Sequence, residues 1–218
     1  SNTPDYLDNI VAGTAQVLEF CKRRQASYTY ISSYMYGMPQ YLPIDEKHPK
    51  ASANPYALAK RLSEEVCKFY SREFSIKGTI IRPFVIFGQG QKEDFLIPML
   101  IKQVMEEKEI VVNDLIPKKR DYLYIDDFID ALMATFVGKI EPEAYNIGMG
   151  VSYTIAELVN LMQEIAGTHK PVSDRGMVRK NDYPDVIASI QKASSELNWK
   201  PKVDMRMALA KCMDGYGK

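Results

Sequence analysis

The chain has 218 residues, 46% of them hydrophobic, with 28 basic and 28 acidic side chains and no net charge. That is enough apolar material to bury a substantial core, in one domain or two small ones. A balanced charge with a pI near 6.7 excludes general attraction to nucleic acid or an anionic membrane. No apolar run approaches the ~20 residues that span a bilayer.

From Asp5 to about Lys22, Ile10, Val11, Thr14, Val17, Leu18 and Cys21 recur at helical spacing and predict an amphipathic helix with those residues inward. A strand is expected over 27–32, rich in β-formers, followed by a long ordered loop to Asn54 marked by prolines and Gly37. Pro55 suits the first turn of a helix to about Phe74, with Leu58, Leu62, Val66, Phe69 and Tyr70 on its core side. Residues 78–82 read as a strand buried on both faces. Beyond Gly88-Gln89-Gly90-Gln91 come a helix over 95–107, a strand over 109–112 and the charged link Lys118-Lys119-Arg120. Then follow a strand over 122–125, a helix from Asp126 to Val137 and a strand near 144–148. Thr154-Ile155-Ala156-Glu157 is a capping-box pattern opening a helix that stops near Gly167, and residues 189–197 and 205–216 close the chain as helices. This order of elements implies right-handed crossovers in a doubly wound sheet.

Cys21, Cys67 and Cys212 are odd in number, far apart and set in helical patterns, so buried thiols in a reducing cytoplasm are expected rather than a disulfide framework. His48 and His169 stand alone, no Cys/His cluster has ligand spacing, and no metal is expected.

Tyr56 and Lys60 lie four apart at the start of the predicted helix and therefore share a face. A phenol titrates near ~10, so about one in 10³ is ionised at neutral pH, and bringing it near 7 requires roughly 4 kcal/mol of differential stabilisation. One neighbouring cation supplies about 1–3 units, so a second positive charge would have to complete the shift. Ser32, closing the preceding strand, is the candidate hydroxyl partner. Taken alone, a Tyr/Lys pair at this spacing is more often a half-buried phenol beside a solvated amine.

The context is more specific. Tyr28-Thr29-Tyr30-Ile31-Ser32-Ser33-Tyr34-Met35-Tyr36-Gly37, Asn54-Pro55-Tyr56, Arg82-Pro83-Phe84, Arg120-Asp121-Tyr122 and Tyr145-Asn146-Ile147-Gly148 follow in an order and spacing that resemble the extended short-chain dehydrogenase/reductases. The resemblance is strongest to the NAD-dependent nucleotide-sugar epimerases and dehydratases of the UDP-glucose 4-epimerase type. It implies an α/β fold: a partial Rossmann-like doubly wound parallel sheet with a smaller C-terminal α/β substrate-binding lobe. Residues 1–90 would form the C-terminal part of the NAD-binding domain and 91–218 mainly the nucleotide-sugar lobe, with the strand near 144–148 returning to the first sheet. The family's opening strand, Gly-x-x-Gly-x-x-Gly turn and acidic residue are not found, and Gly13, Gly37, Gly78, Gly88 and Gly90 are scattered. The resemblance thus implies a C-terminal two-thirds, expected to be inactive by itself.

The resemblance also implies roles. Tyr56 would be the acid/base toward a sugar hydroxyl, Lys60 would bind the nicotinamide ribose and lower the phenol pKa, and Ser32 would hydrogen-bond the reacting oxygen. Asn9 and the Phe84 backbone would touch the cofactor, NAD in preference to NADP. Arg120 would clamp the substrate diphosphate with its planar, permanently charged fork. Ser33 and Arg179 are further substrate-binding candidates. The plain alternatives are a helix-turn bond for Asn9, core packing for Phe84, a solvated charge run for Arg120 and helix-start capping for Asp126 and Asp127. Helices 5–22 and 55–74 resemble the pair that forms the family's dimer, so a homodimer is expected.

Departures narrow the chemistry. Ser33 and Tyr34 occupy the places where the 4,6-dehydratases carry an Asp-Glu pair, which disfavours elimination. Val85 and Phe95 stand where many 4-epimerases have asparagines, which leaves the sugar open. A 4-epimerase is the leading expectation. Beside it stand a keto-sugar reductase or dehydratase of the same family, and a non-catalytic remnant or binding module.

Overall fold

The computed structural model describes residues 3–113, 115–137, 143–177 and 183–216. The chain opens as continuous helix: α1 (Thr3–Tyr6), a π-helical stretch (Leu7–Ala12) and α2 (Gly13–Arg24). Lys22, Arg23 and Arg24 occupy the last turn of α2, where the helix dipole favours cations. After β1 (Tyr28–Ile31) and the 32–54 connection, α3 (Pro55–Phe74) begins. The Asn54 side chain caps it by accepting from the Ala57 N–H at 2.8 Å, and Pro55 sits in its first turn. Next come β2 (Gly78–Pro83), β3 (Val85–Phe87), α4 (Leu96–Glu106), β4 (Ile110–Val112), β5 (Lys119–Tyr124) and α5 (Ile125–Val137). The chain continues with β6 (Ala144–Ile147), β7 (Ser152–Thr154), α6 (Ile155–Ala166), β8 (Val172–Asp174), β9 (Asp185–Val186), α7 (Gln191–Glu196) and α8 (Met205–Asp214).

Strands β1, β2 and β6 form a parallel sheet in that order, with Ile31 opposite Ile81 and Ile81 opposite Tyr145. Every residue of the central strand β2 is buried, as a strand covered on both faces must be. A second sheet joins β3 to β5 in parallel, with β7 antiparallel and β9 parallel to β5, and β4 pairs separately with β8. The largest apolar cluster lies around this second group, where Leu100, Ile110, Leu158, Met162 and Leu209 are fully buried. The capping box on α6 is complete: Thr154 and Glu157 each accept the other's backbone N–H.

Three features differ from the sequence reading. The core face of α3 is Ala59, Ser63, Glu64, Cys67 and Ser71, while Leu62 and Phe69 are exposed, as is Val17 on α2. The reason lies in β1: Tyr28 and Tyr30 fill the space under α3, so small and polar side chains must face the sheet. The Tyr28 hydroxyl donates to the Cys67 carbonyl at 2.9 Å and meets Ser71 Oγ at 2.8 Å. The charged Lys119-Arg120 pair belongs to β5, because its backbone pairs with Thr154, Tyr153, Asp185 and Val186. The last two helices are shorter than expected, spanning Gln191–Glu196 and Met205–Asp214 with C-caps at Leu197 and Gly215. Cys21, Cys67 and Cys212 are buried free thiols, as expected.

Candidate active site

The site forms where β1 ends beside the first turns of α3. Alternation along β1 sends Tyr28 and Tyr30 toward α3, whereas Thr29 faces away and meets Thr135 of α5 at 2.9 Å. The Ser32 N–H continues the ladder by donating to the Ile81 carbonyl at 2.8 Å, which puts Ser32 on the α3 face, 3% exposed. Its hydroxyl meets no hydrogen-bond partner of standard geometry among the described residues. The acidic group it neighbours is Glu64, whose pKa it helps to hold down.

Tyr56 stands in the first turn of α3 and is half-exposed, with the Tyr6 ring edge-on at 6.1 Å. Burial pushes its phenol above the usual value, a side-chain hydrogen bond with Ser33 acts in the opposite direction, and Tyr6 adds to the rise. Lys60 Nζ donates to the Ile31 carbonyl at 2.8 Å and lies 5.8 Å from the centroid of the Tyr56 ring. Burial lowers its own pKa. The ammonium is thus directed at the end of β1. A cavity of about 470 Å³ runs beside Lys60 between α2, β1 and α3, lined by Asn9, Thr14, Tyr30 and Cys67 among others.

The remaining candidates are distributed. Asn9, in the π-helical stretch, is exposed at the rim of that cavity, and its Nδ2 donates to the Asp5 carbonyl at 2.8 Å. Phe84 is buried, stacks on Tyr34 at 5.3 Å, and donates its N–H to the Ile147 carbonyl at 2.9 Å. Arg120 is half-buried rather than part of a solvated face, and its Nη1 donates to the carbonyls of Lys119 at 2.7 Å and Tyr183 at 2.8 Å. Arg179 lies outside the described residues. Asp126 pairs with Lys211 at 3.1 Å. The buried Asp127 accepts from the Lys202 and Val203 N–H groups at 2.9 and 3.1 Å, so it ties down the approach to α8 and not its own helix start.

Sequence reasoning missed a buried polar network beneath the site. Arg82 grips Glu64 through Nε to Oε1 at 2.7 Å and Nη2 to Oε2 at 2.6 Å, and its Nη1 donates to the Tyr36 hydroxyl at 2.9 Å. Tyr36 donates to Asn146 Oδ1, and the Asn146 N–H donates to Glu46 Oε1 at 2.7 Å. Burial opposes charge on Glu64, but the bonds from Arg82 outweigh it and hold the carboxyl below its usual range. An arginine inside the otherwise apolar strand 78–82 was the signal for this network. A second missed residue is Asp121, fully buried, which accepts the N–H groups of Met149, Gly150 and Ala188 at 2.6, 2.9 and 3.1 Å. Burial pushes its carboxyl up to about 6.

Residues 1–148 match the family described as the NAD dependent epimerase/dehydratase family. A putative UDP-glucose 4-epimerase of Methanocaldococcus jannaschii is 28% identical over 211 residues, which cover 94% of this chain and 68% of that protein. The solved UDP-glucuronic acid 4-epimerase of Bacillus cereus, in complex with UDP-glucuronic acid and NAD, superposes with a TM-score of 0.87 at 28% identity, covering 96% of this chain and 67% of that one. The solved RMD of Pseudomonas aeruginosa, complexed with NADPH, gives a TM-score of 0.89 at 26% identity, covering 96% and 73%. The chain therefore spans about two thirds of the length of such proteins and belongs to the NAD-dependent epimerase/dehydratase family of Rossmann-fold, extended short-chain dehydrogenase/reductase enzymes.

Proposed function

We propose that this chain carries the proton-transfer site of an NAD-dependent nucleotide-sugar epimerase of the 4-epimerase type. The observation that supports it is the placement of Tyr56 and Lys60 on the first turns of α3, with the Lys60 ammonium bonded to the Ile31 carbonyl at the end of β1, one residue before Ser32. Tyr56 takes the proton from a sugar hydroxyl and later returns it. In the resting geometry burial keeps the phenol protonated, so positive charge must arrive beside it before it can act as a base. Lys60 is half of that charge. One of its N–H donors holds the Ile31 carbonyl, and an ammonium has two more, which suit ribose hydroxyls. Asn9, at the rim of the cavity beside Lys60, and the backbone at Phe84 complete the set of cofactor contacts. Bound NAD would supply the hydride-accepting ring and the second positive charge. Arg120, oriented by the Lys119 and Tyr183 carbonyls, and Arg179 would bind the diphosphate of the substrate.

Epimerisation is favoured over dehydration because Ser33 and Tyr34 offer no carboxyl for elimination. Residues 1–90 serve as the C-terminal part of the cofactor-binding domain and 91–218 mainly as the sugar lobe. Pairing of two copies through helices 5–22 and 55–74 accounts for the apolar side chains Val17, Phe20, Leu62 and Phe69 on their outer faces. A second reading, a keto-sugar reductase that exchanges its cofactor, is favoured by the NADPH bound to the RMD structure.

The test is proton NMR of the anomeric region during incubation of the native protein carrying these residues with NAD and UDP-glucose. UDP-galactose is expected, slowed about 10²–10⁴-fold by Y56F. An unchanged rate in Y56F would remove the proposal, and turnover only of a keto-sugar with consumption of NADPH would replace it with the second reading.

A further inference from the structure

We propose that Tyr6 is a positioning residue for Tyr56: its ring, carried on the helical segment before α2, fixes the orientation of the phenol and covers it from water. This rests on the reading of Tyr56 as the acid/base and deepens it.

Tyr56 needs such a support because of its place in α3. It is the second residue of the helix, after Pro55, and is 39% exposed. Side chains on a helix lean toward its N-terminus, so the Tyr56 ring projects past the start of α3, where no earlier turn lies beneath it. A ring in that position can occupy more than one staggered orientation unless another element holds it. Proton transfer depends on the held geometry, because a misplacement of about 1 Å can cost ~10²-fold in rate.

Tyr6 supplies the missing wall. The two rings meet with centroids 6.1 Å apart and planes at 70°, the edge-to-face arrangement that the aromatic quadrupole favours. Tyr6 is itself half-buried and ends α1, directly before the π-helical stretch Leu7–Ala12. That stretch is tied to α3: the Ile10 carbonyl accepts from Thr14 Oγ1 at 2.6 Å and from the buried Ser63 Oγ at 3.3 Å. Ser63 lies seven residues after Tyr56, two turns along the same face. The segment that carries Tyr6 is thus fastened to the helix that carries Tyr56, and short π-helical segments of this kind concentrate at functional sites. Burial is the largest cause of the raised phenol pKa, and Tyr6 adds to the rise, in keeping with a ring that sits against it.

The test compares Y6L, which keeps an apolar helix former but removes the ring, with Y6F, which keeps the ring. In proton NMR of the native protein carrying these residues, without cofactor or substrate, the ring resonances of Tyr56 are assigned by their loss in Y56F. Y6L is expected to remove the ring-current displacement of those resonances, and Y6F to restore it. With NAD and UDP-glucose, Y6L is expected to lower kcat about 10-fold while KM changes less than about twofold, and Y6F to recover the rate. Unmoved Tyr56 resonances in Y6L, or a lowered thermal midpoint with kcat unchanged, overturn the proposal. An equal loss in Y6F also overturns it, by assigning the effect to the Tyr6 hydroxyl. The parent reading fails separately, by full turnover in Y56F, and the ring resonances then decide the support of Tyr56 by themselves.

Discussion

Arg82 holds Glu64 in a two-pronged grip, 2.7 and 2.6 Å, that joins the central strand to the helix bearing Tyr56 and Lys60. Both side chains are excluded from water, so the pair must be kept or lost as a unit. E64A, which strands the guanidinium, is expected to cost about 3–5 kcal/mol in urea unfolding. Replacing both partners by apolar side chains, as in E64L/R82M, is expected to recover most of that loss. A double variant as unstable as E64A would show that the network, through Tyr36 and Asn146, matters more than the pair.

Asp121 gives the fold a pH dependence of defined sign. Its carboxyl titrates near 6 in the folded chain against 3.8 as the ordinary value, because burial outweighs three accepted N–H bonds. Between those two values the folded chain binds the extra proton, so stability falls as pH rises through that window, by at most ~3 kcal/mol. The urea midpoint is expected to be higher at pH 5 than at pH 7.5, and D121N is expected to flatten the difference. A wild-type slope unchanged in D121N would assign it to other groups.

Gly78 opens β2 where the Tyr28 ring crosses it. A Cβ added there would lie 2.1 Å from two ring carbons, so the Tyr28 ring, held by its bonds to Cys67 and Ser71, would have to shift. G78A is expected to cost about 1–3 kcal/mol, read as a lowered thermal midpoint. An unshifted midpoint would mean that the Tyr28 ring moves freely, against its two hydrogen bonds to α3.

The outer faces of α2 and α3 expose Phe20 and Phe69, which lie under Arg24 and Arg72 at 5.9 and 6.0 Å. If these faces pair, F69D is expected to convert a dimer to a monomer in sedimentation velocity with helix content unchanged. A wild-type monomer at micromolar concentration would remove the pairing.

Much of the architecture was legible because its signals are local. The capping box at Thr154, the Asn54-Pro55 start of α3 and the apolar run of β2 each specify their element without help from distant residues. The inward face of α3 was not legible. Hydrophobicity favours Leu62 and Phe69, and only the bulk of Tyr28 and Tyr30 from another strand explains why Ser63 and Glu64 face the sheet instead. The same limit applies to the site. Spacing singled out Tyr56, Lys60 and Ser32, but that Ser32 is buried at the end of β1 depends on its pairing with Ile81, which the local sequence does not contain. Asp121 was hidden because a carboxylate inside a motif says nothing about the three N–H groups it collects from elsewhere in the chain.

The π-helical stretch at Leu7–Ala12 sets the phase between two halves of one rod. Below it, Leu18 and Cys21 are locked into the core; above it, Tyr6 leans on Tyr56. Deleting one residue from the stretch would leave the lower half seated and swing the upper half by about 100°, one helical step. Tyr6 and Asn9 would leave the rim of the site together while the core stayed intact. The surplus residue therefore lets one continuous helix answer to two surfaces whose spacing a plain α-helix would not match.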